Sequence, residues 1–187
     1  MKAHSDWREE REESVLKPSK TRQVALSGLL FALAMALSFM ESAIAPLLGL
    51  MPGVKIGLAN IVVMYVLFFM GFPQALSLAV LKALFVLLTR GAVAGLLSLC
   101  GGLLSLLVMW LLYKLPKRPT YFILSVCGSL AHNVGQMIAA SFVLGSRLAL
   151  TYAPVLIVSG LGMGWVTSAS LAAILPALGR MGFNTKK

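Results

Sequence analysis

Acidic side chains are nearly missing from this sequence. Of the six Asp and Glu residues, five (Asp6, Glu9, Glu10, Glu12 and Glu13) fall in the first thirteen positions, and after them only Glu41 remains. Diphosphate chemistry that runs through magnesium holds its metal with clustered carboxylates. General acid–base catalysis sets two ionisable groups against each other. The body of the chain is composed for neither. Two cysteines, Cys100 and Cys127, both lie in apolar runs and have no metal-ligand spacing, so they read as buried, inert thiols. Two histidines, His4 and His132, are too few for a histidine-rich site. Neither HExxH nor the GxxxxGK[ST] phosphate loop occurs. No catalytic residue, metal or cofactor is expected, and the chain is not expected to drive transport with its own ATP hydrolysis.

Charge of either sign is scarce as well. Charged residues make up 12% of the 187 positions and hydrophobic ones 59%, with a mean hydropathy of +0.90. A soluble domain is nearer half apolar and a quarter charged, so the expected solvent is lipid. A net charge of +10 in a soluble protein would suggest nucleic acid. Here the basic residues cluster between apolar runs, as cytoplasmic loops do, and form no continuous patch. Nucleic acid is therefore not expected as a partner. A secretory signal peptide is not expected either, because about twenty charged and polar residues precede a first apolar run too long for an h-region.

What remains is a series of apolar runs. Residues 1–20 form a charged segment closed by Pro18, read as a solvated arm or a partner-binding one. Residues 21–180 carry runs at about 22–40, 57–70, 73–89, 93–113, 121–144 and 153–178, and residues 181–187 form a basic tail. The pattern predicts an all-α integral membrane protein with a six-transmembrane-helix bundle. The second run is short against the about 20 residues a crossing needs. With six spans, one face of the membrane receives Lys17, Lys20, Arg22, Lys114, Lys117, Arg118, Arg180, Lys186 and Lys187. The other face receives only Lys55, Arg90 and Arg147. The richer face, with both termini, is expected to be cytoplasmic. Tyr113 and Tyr121 are expected to anchor that interface.

The stretch Met40–Asn60 is the unusual connector. It holds Glu41, helix-breaking Pro46, Pro52 and Gly53, then Lys55 and Asn60. Irregular backbone at membrane depth is tolerated only against protein or a water-filled cavity. Deeper in the runs lie Lys82, midway along the third, and His132, Asn133 and Gln136, midway along the fifth. Arg90 lies eight residues beyond Lys82. An ion at the bilayer centre costs about 2.5–3.5 kcal/mol on insertion scales, so each needs a reason. One reading is a polar clamp between helices. The other is a cavity open to the outside with a positive wall, because Glu41 is expected near the outer interface, away from the buried cations. On that reading Glu41, Lys55, Asn60, Lys82, Arg90, His132, Asn133 and Gln136 bind a small polar, anionic molecule.

Small residues recur at helical spacing. Gly28, Ala32 and Ala36 share one face of the first run, and Gly160 and Gly164 one face of the sixth. Such faces let helices approach closely. The first is either internal packing or a docking groove for a partner membrane protein; the second is close helix packing or a wall beside a ligand.

Two motifs go further. Pro52-Gly53-Val54-Lys55-Ile56-Gly57-Leu58-Ala59-Asn60 and Ala131-His132-Asn133-Val134-Gly135-Gln136 resemble the Gx transporter family, often labelled heptaprenyl diphosphate synthase component I. The resemblance covers about residues 20–180. That family is similar to the substrate-binding S components of energy-coupling factor transporters, six-helix bundles with an extracellular ligand pocket. The resemblance implies a bacterial cytoplasmic (inner) membrane protein, with lipid around it and a small-molecule ligand inside. It also implies a transmembrane coupling subunit with ATPases, docked on Gly28, Ala32 and Ala36. The synthase label implies instead a non-catalytic membrane subunit, since the aspartate-rich motifs of prenyl diphosphate synthases are missing. A flavin- or quinone-linked role is the variant of that alternative.

Overall fold

The computed structural model describes residues 20–44, 58–116, 119–144 and 146–180. Among them run six helices: α1 Lys20–Ile44, α2 Leu58–Phe69, α3 Phe72–Arg90, α4 Ala92–Tyr113, α5 Tyr121–Leu144 and α6 Ser146–Arg180. No strand is present among the described residues. Five helices contain an apolar stretch long enough to cross a membrane, in Val24–Ile44, Phe72–Arg90, Ala92–Tyr113, Tyr121–Val143 and Leu156–Ala173. The protein is thus an all-helical, multi-pass type of chain. Its outward faces carry large apolar side chains such as Leu29, Phe39, Leu88, Phe142, Val158 and Trp165, the surface that lipid rather than water requires.

The sixth helix, α2, is the exception. Its 12 residues span about 18 Å, well short of a hydrocarbon layer of about 30 Å. Yet it is the most enclosed element. Ala59, Asn60 and every residue from Val62 to Phe68 are buried. A helix apolar on all sides belongs in the middle, and α2 packs against α1, α3, α4 and α6. Around it α3, α4, α5 and α6 pack in chain order.

The helix turns explain the order. Gly91 is the single residue between α3 and α4, with φ of 90° and ψ of 173°, a backbone region that is essentially glycine's alone. Directly beyond it, a Cβ on Gly95 would lie 2.5 Å from Leu87 Cβ. The two glycines let α4 fold straight back on α3. Gly164 meets α5 the same way, its Cβ position 2.6 Å from Val126 Cα, and Gly160 faces Asn133. The small face of α6 therefore serves close packing.

One expectation changes, and others gain detail. α1 runs through Glu41 to Ile44 and α2 starts at Leu58, so Glu41 and Asn60 lie on helices and not in a broken connector. Residues 45–57, with Lys55, lie outside the described residues. α6 starts at Ser146, earlier than the 153 expected from its apolar run. Tyr113 and Tyr121 turn their rings inward onto Phe68, at centroid distances of 5.2 and 5.5 Å. Phe72 packs on Trp110 at 4.9 Å, and Lys114 lies over the same indole at 4.1 Å. This aromatic cluster closes the end of the bundle where α2 passes into α3 and α4 ends.

Candidate functional site

The opposite half of the bundle holds the buried charged and amide side chains, and each of α1 to α5 contributes at least one polar group. At this level lie Glu41 from α1, Asn60 from α2, Lys82 from α3, Ser98 from α4, and His132, Asn133 and Gln136 from α5, while Ser38, Ser105, Ser125 and Thr167 are buried elsewhere in the bundle. Their levels follow from the antiparallel register. Gly95 opposes Leu87 and Gly102 opposes Ala79 across α3 and α4, which sets Lys82 level with residues 98–101. Gly101 opposes His132 and Gln136 across α4 and α5, which brings Gln136 to that level too. The layer lies about 12 Å inside the end of α3, eight residues from Arg90.

Within this layer the side chains fall into two groups. In the first, Lys82 Nζ donates to Asn60 Oδ1 at 2.7 Å, and the buried Glu41 carboxylate acts on the same ammonium. Lys82 is 5% exposed and Glu41 3%. The expectation that Glu41 sits apart at the interface, leaving Lys82 without a counter-ion, is corrected. α1 continues as helix far enough to carry the carboxylate inward. A buried ion pair that loses one member leaves a bare charge and costs about 3–5 kcal/mol. The hydrogen bond ties α2 to α3, and the α1 carboxylate acts on it through its charge.

The second group lies on α4, α5 and α6. Asn133 Nδ2 donates to the backbone oxygen of Leu156 on α6 at 2.5 Å, and Ser159 Oγ donates to the same oxygen at 3.0 Å. Asn133 is therefore a clamp. His132 packs beside Gly101, where a Cβ would meet His132 Cε1 at 3.0 Å and Gln136 Cγ at 2.8 Å. Gly135 in turn brings α5 onto the backbone of Cys100 and Gly101. Gln136 is different from Asn133. It is 2% exposed, and neither its Oε1 nor its Nε2 has a hydrogen-bond partner. The same holds for Ser98 Oγ, on a residue with no exposed surface. Each such group costs about 1–3 kcal/mol.

Ser98 was not legible as a candidate. Hydroxyls in apolar helices usually satisfy themselves on the carbonyl one turn back. Ser42, Ser77, Thr89 and Ser141 all do so here. Only its failure to make that bond singles out Ser98, and a sequence does not display this.

One expected site residue, Arg90, is not brought in, and another falls where nothing is described. Arg90 is exposed at the last turn of α3, and Lys55 lies outside the described residues. Gly28, Ala32 and Ala36 are all exposed on α1, and a Cβ on Gly28 would meet nothing within 4 Å. This face does not serve packing within the described protein. Beside α1, toward the aromatic end, a largely apolar groove of about 190 Å³ lies between α1, α2 and α3, lined by Phe31, Val66, Met70, Leu78 and Leu81 with Ser27, Gln74 and Ser77.

No curated protein and no solved structure matches this chain. A family model described as heptaprenyl diphosphate synthase component I matches residues 30–174, most of the helical region just described. The chain therefore belongs to the heptaprenyl diphosphate synthase component I family.

Proposed function

We propose that this protein is the membrane-embedded, substrate-binding component of an importer of the energy-coupling factor type, taking a small polar molecule. One observation carries the reading: polar side chains from five helices are buried at one level, and Gln136 and Ser98 in that layer have no partner within the protein. A layer built only to clamp helices would leave none of its members unsatisfied. The bundle would then cross the bacterial cytoplasmic membrane with both termini inside, the polar layer in its outer half and the aromatic cluster toward the cytoplasm. The basic residues near Lys114 agree with that orientation.

In this reading the exposed face of Gly28, Ala32 and Ala36 docks a transmembrane coupling subunit that carries the ATPases. Small residues let a partner helix approach to backbone distance. The test is Ala32→Phe. The side chain is exposed, so the variant is expected to keep wild-type elution and melting behaviour in detergent. It should nevertheless lose the ATPase-containing partners that wild type brings down from native membranes. Unchanged recovery of those partners would count against the docking face.

A second reading follows from the family's own description. The chain would be a non-catalytic membrane subunit beside a soluble prenyl diphosphate synthase, or beside a flavin- or quinone-linked enzyme. The apolar groove between α1, α2 and α3 suits a hydrocarbon chain better than a polar molecule. The same pull-down decides between the two, because a synthase or flavoprotein in place of ATPases would favour the second.

A further inference from the structure

The polar layer also says what kind of molecule the importer would carry, an inference that rests on the substrate-binding reading above. A cationic wall would call for an anion. Among the described residues the one buried lysine or arginine at this level, Lys82, is already bonded to Asn60 and feels the field of the buried Glu41 carboxylate. Arg90 is exposed, about 12 Å further along α3. Among the described residues, the buried polar atoms without hydrogen-bond partners include three neutral ones, Gln136 Oε1, Gln136 Nε2 and Ser98 Oγ, close to the His132 imidazole, which has a contact of its own.

Their chemistry is mixed. The carboxamide offers two N–H donors and one acceptor oxygen, and the hydroxyl offers one donor and two lone pairs. An anion would satisfy Nε2 but leave Oε1 facing negative charge. A cation would do the reverse. Either would also be stripped of water in a layer that has no counter-charge to spare. Only an edge carrying a donor beside an acceptor satisfies both ends of the carboxamide at once. Both terminal atoms of Gln136 lack partners, so the same chemistry holds whichever of the two is nitrogen.

We infer that the ligand is an uncharged molecule presenting an adjacent donor and acceptor, such as a lactam, carboxamide or heteroaromatic ring edge, received by Gln136 and Ser98. Asn133, whose amide is held by Leu156, is not a member of this receiving pair.

The experiment compares full-length wild type, Gln136→Met and Ser98→Ala, purified from membranes in mild detergent. Extracted small molecules are measured by mass spectrometry in both ion polarities, and each protein is melted. The expected result is a compound neutral at pH 7 that copurifies with wild type. It should fall about tenfold or more in Gln136→Met, the loss that follows from one or two hydrogen bonds, and fall in Ser98→Ala as well. Stripped of bound compound, Gln136→Met should melt no lower than wild type, since it removes a group the protein leaves unsatisfied. An anion that copurifies and is lost in the variants would overturn the uncharged class and leave the importer standing. No compound enriched over the variants would overturn both. A lower melting temperature for stripped Gln136→Met would show its carboxamide bonded within the protein, and would overturn the assignment of Gln136.

Discussion

The two ends of the bundle solve the same problem in opposite ways. At one end Phe68 lies among Tyr113 and Tyr121, and Phe72 packs on Trp110. Flat rings fill that end with apolar surface. At the other end the chain buries a lysine, a glutamate, a histidine, two amides and a glutamine–serine pair without internal partners. α2 reaches both, with Asn60 at its start and Phe68 at its finish. An apolar filling would have been the simpler choice throughout, because replacing buried ion pairs with well-packed hydrophobic residues is often neutral or stabilising. On the substrate-binding proposal, the polar end is kept for a ligand, at a cost to folding that the aromatic end does not carry.

The comparison can be broken most forcefully at Lys82. Lys82→Met leaves Glu41 buried without its cation and is expected to cost about 3–5 kcal/mol. It should be read as a loss of monodisperse protein and of melting temperature in detergent. Adding Glu41→Met should recover much of that loss. If the double variant is no better than the single one, the two side chains are not a pair. Phe68→Ala opens the aromatic end, with an expected cost of about 3 kcal/mol. Compounds that copurify with the protein should be retained, provided that enough of it stays folded. Their disappearance would place the ligand at the wrong end. The smallest effect is expected from Asn133→Leu, which removes the bond to Leu156. An interhelical bond of this sort in a membrane protein is worth about 0.6–1.7 kcal/mol, so a modest fall in melting temperature should appear. That fall, set against the unchanged stability expected of stripped Gln136→Met, separates clamp from site on a single helix.

The helices themselves were easy to foresee. In lipid a backbone must satisfy its own hydrogen bonds, so each apolar run had little choice, and α3, α4 and α5 fall where the hydropathy puts them. Helix limits near breakers were harder. Pro46 and the glycines after it suggested that Glu41 lay in the connector, whereas α1 runs past it to Ile44. One added turn carries the carboxylate inward, where its charge acts on Lys82. The position of α2 was also hidden. A short apolar run reads the same whether it lies at the bundle's edge or its axis, and only packing against α1, α3, α4 and α6 tells them apart. Lys82, His132, Asn133 and Gln136 were legible because polarity in a membrane span is rare. Their division of labour was not, because Asn133 and Gln136 differ in what they touch rather than in what they are.

The shortness of α2 has a consequence for how the protein is made. A rod of about 18 Å leaves the translocon with too little apolar length to hold a place in the bilayer unaided. One of its neighbours, α6, comes four helices later in the sequence. The enclosure of α2 is thus complete only when α6, made after the other five helices, has packed against it.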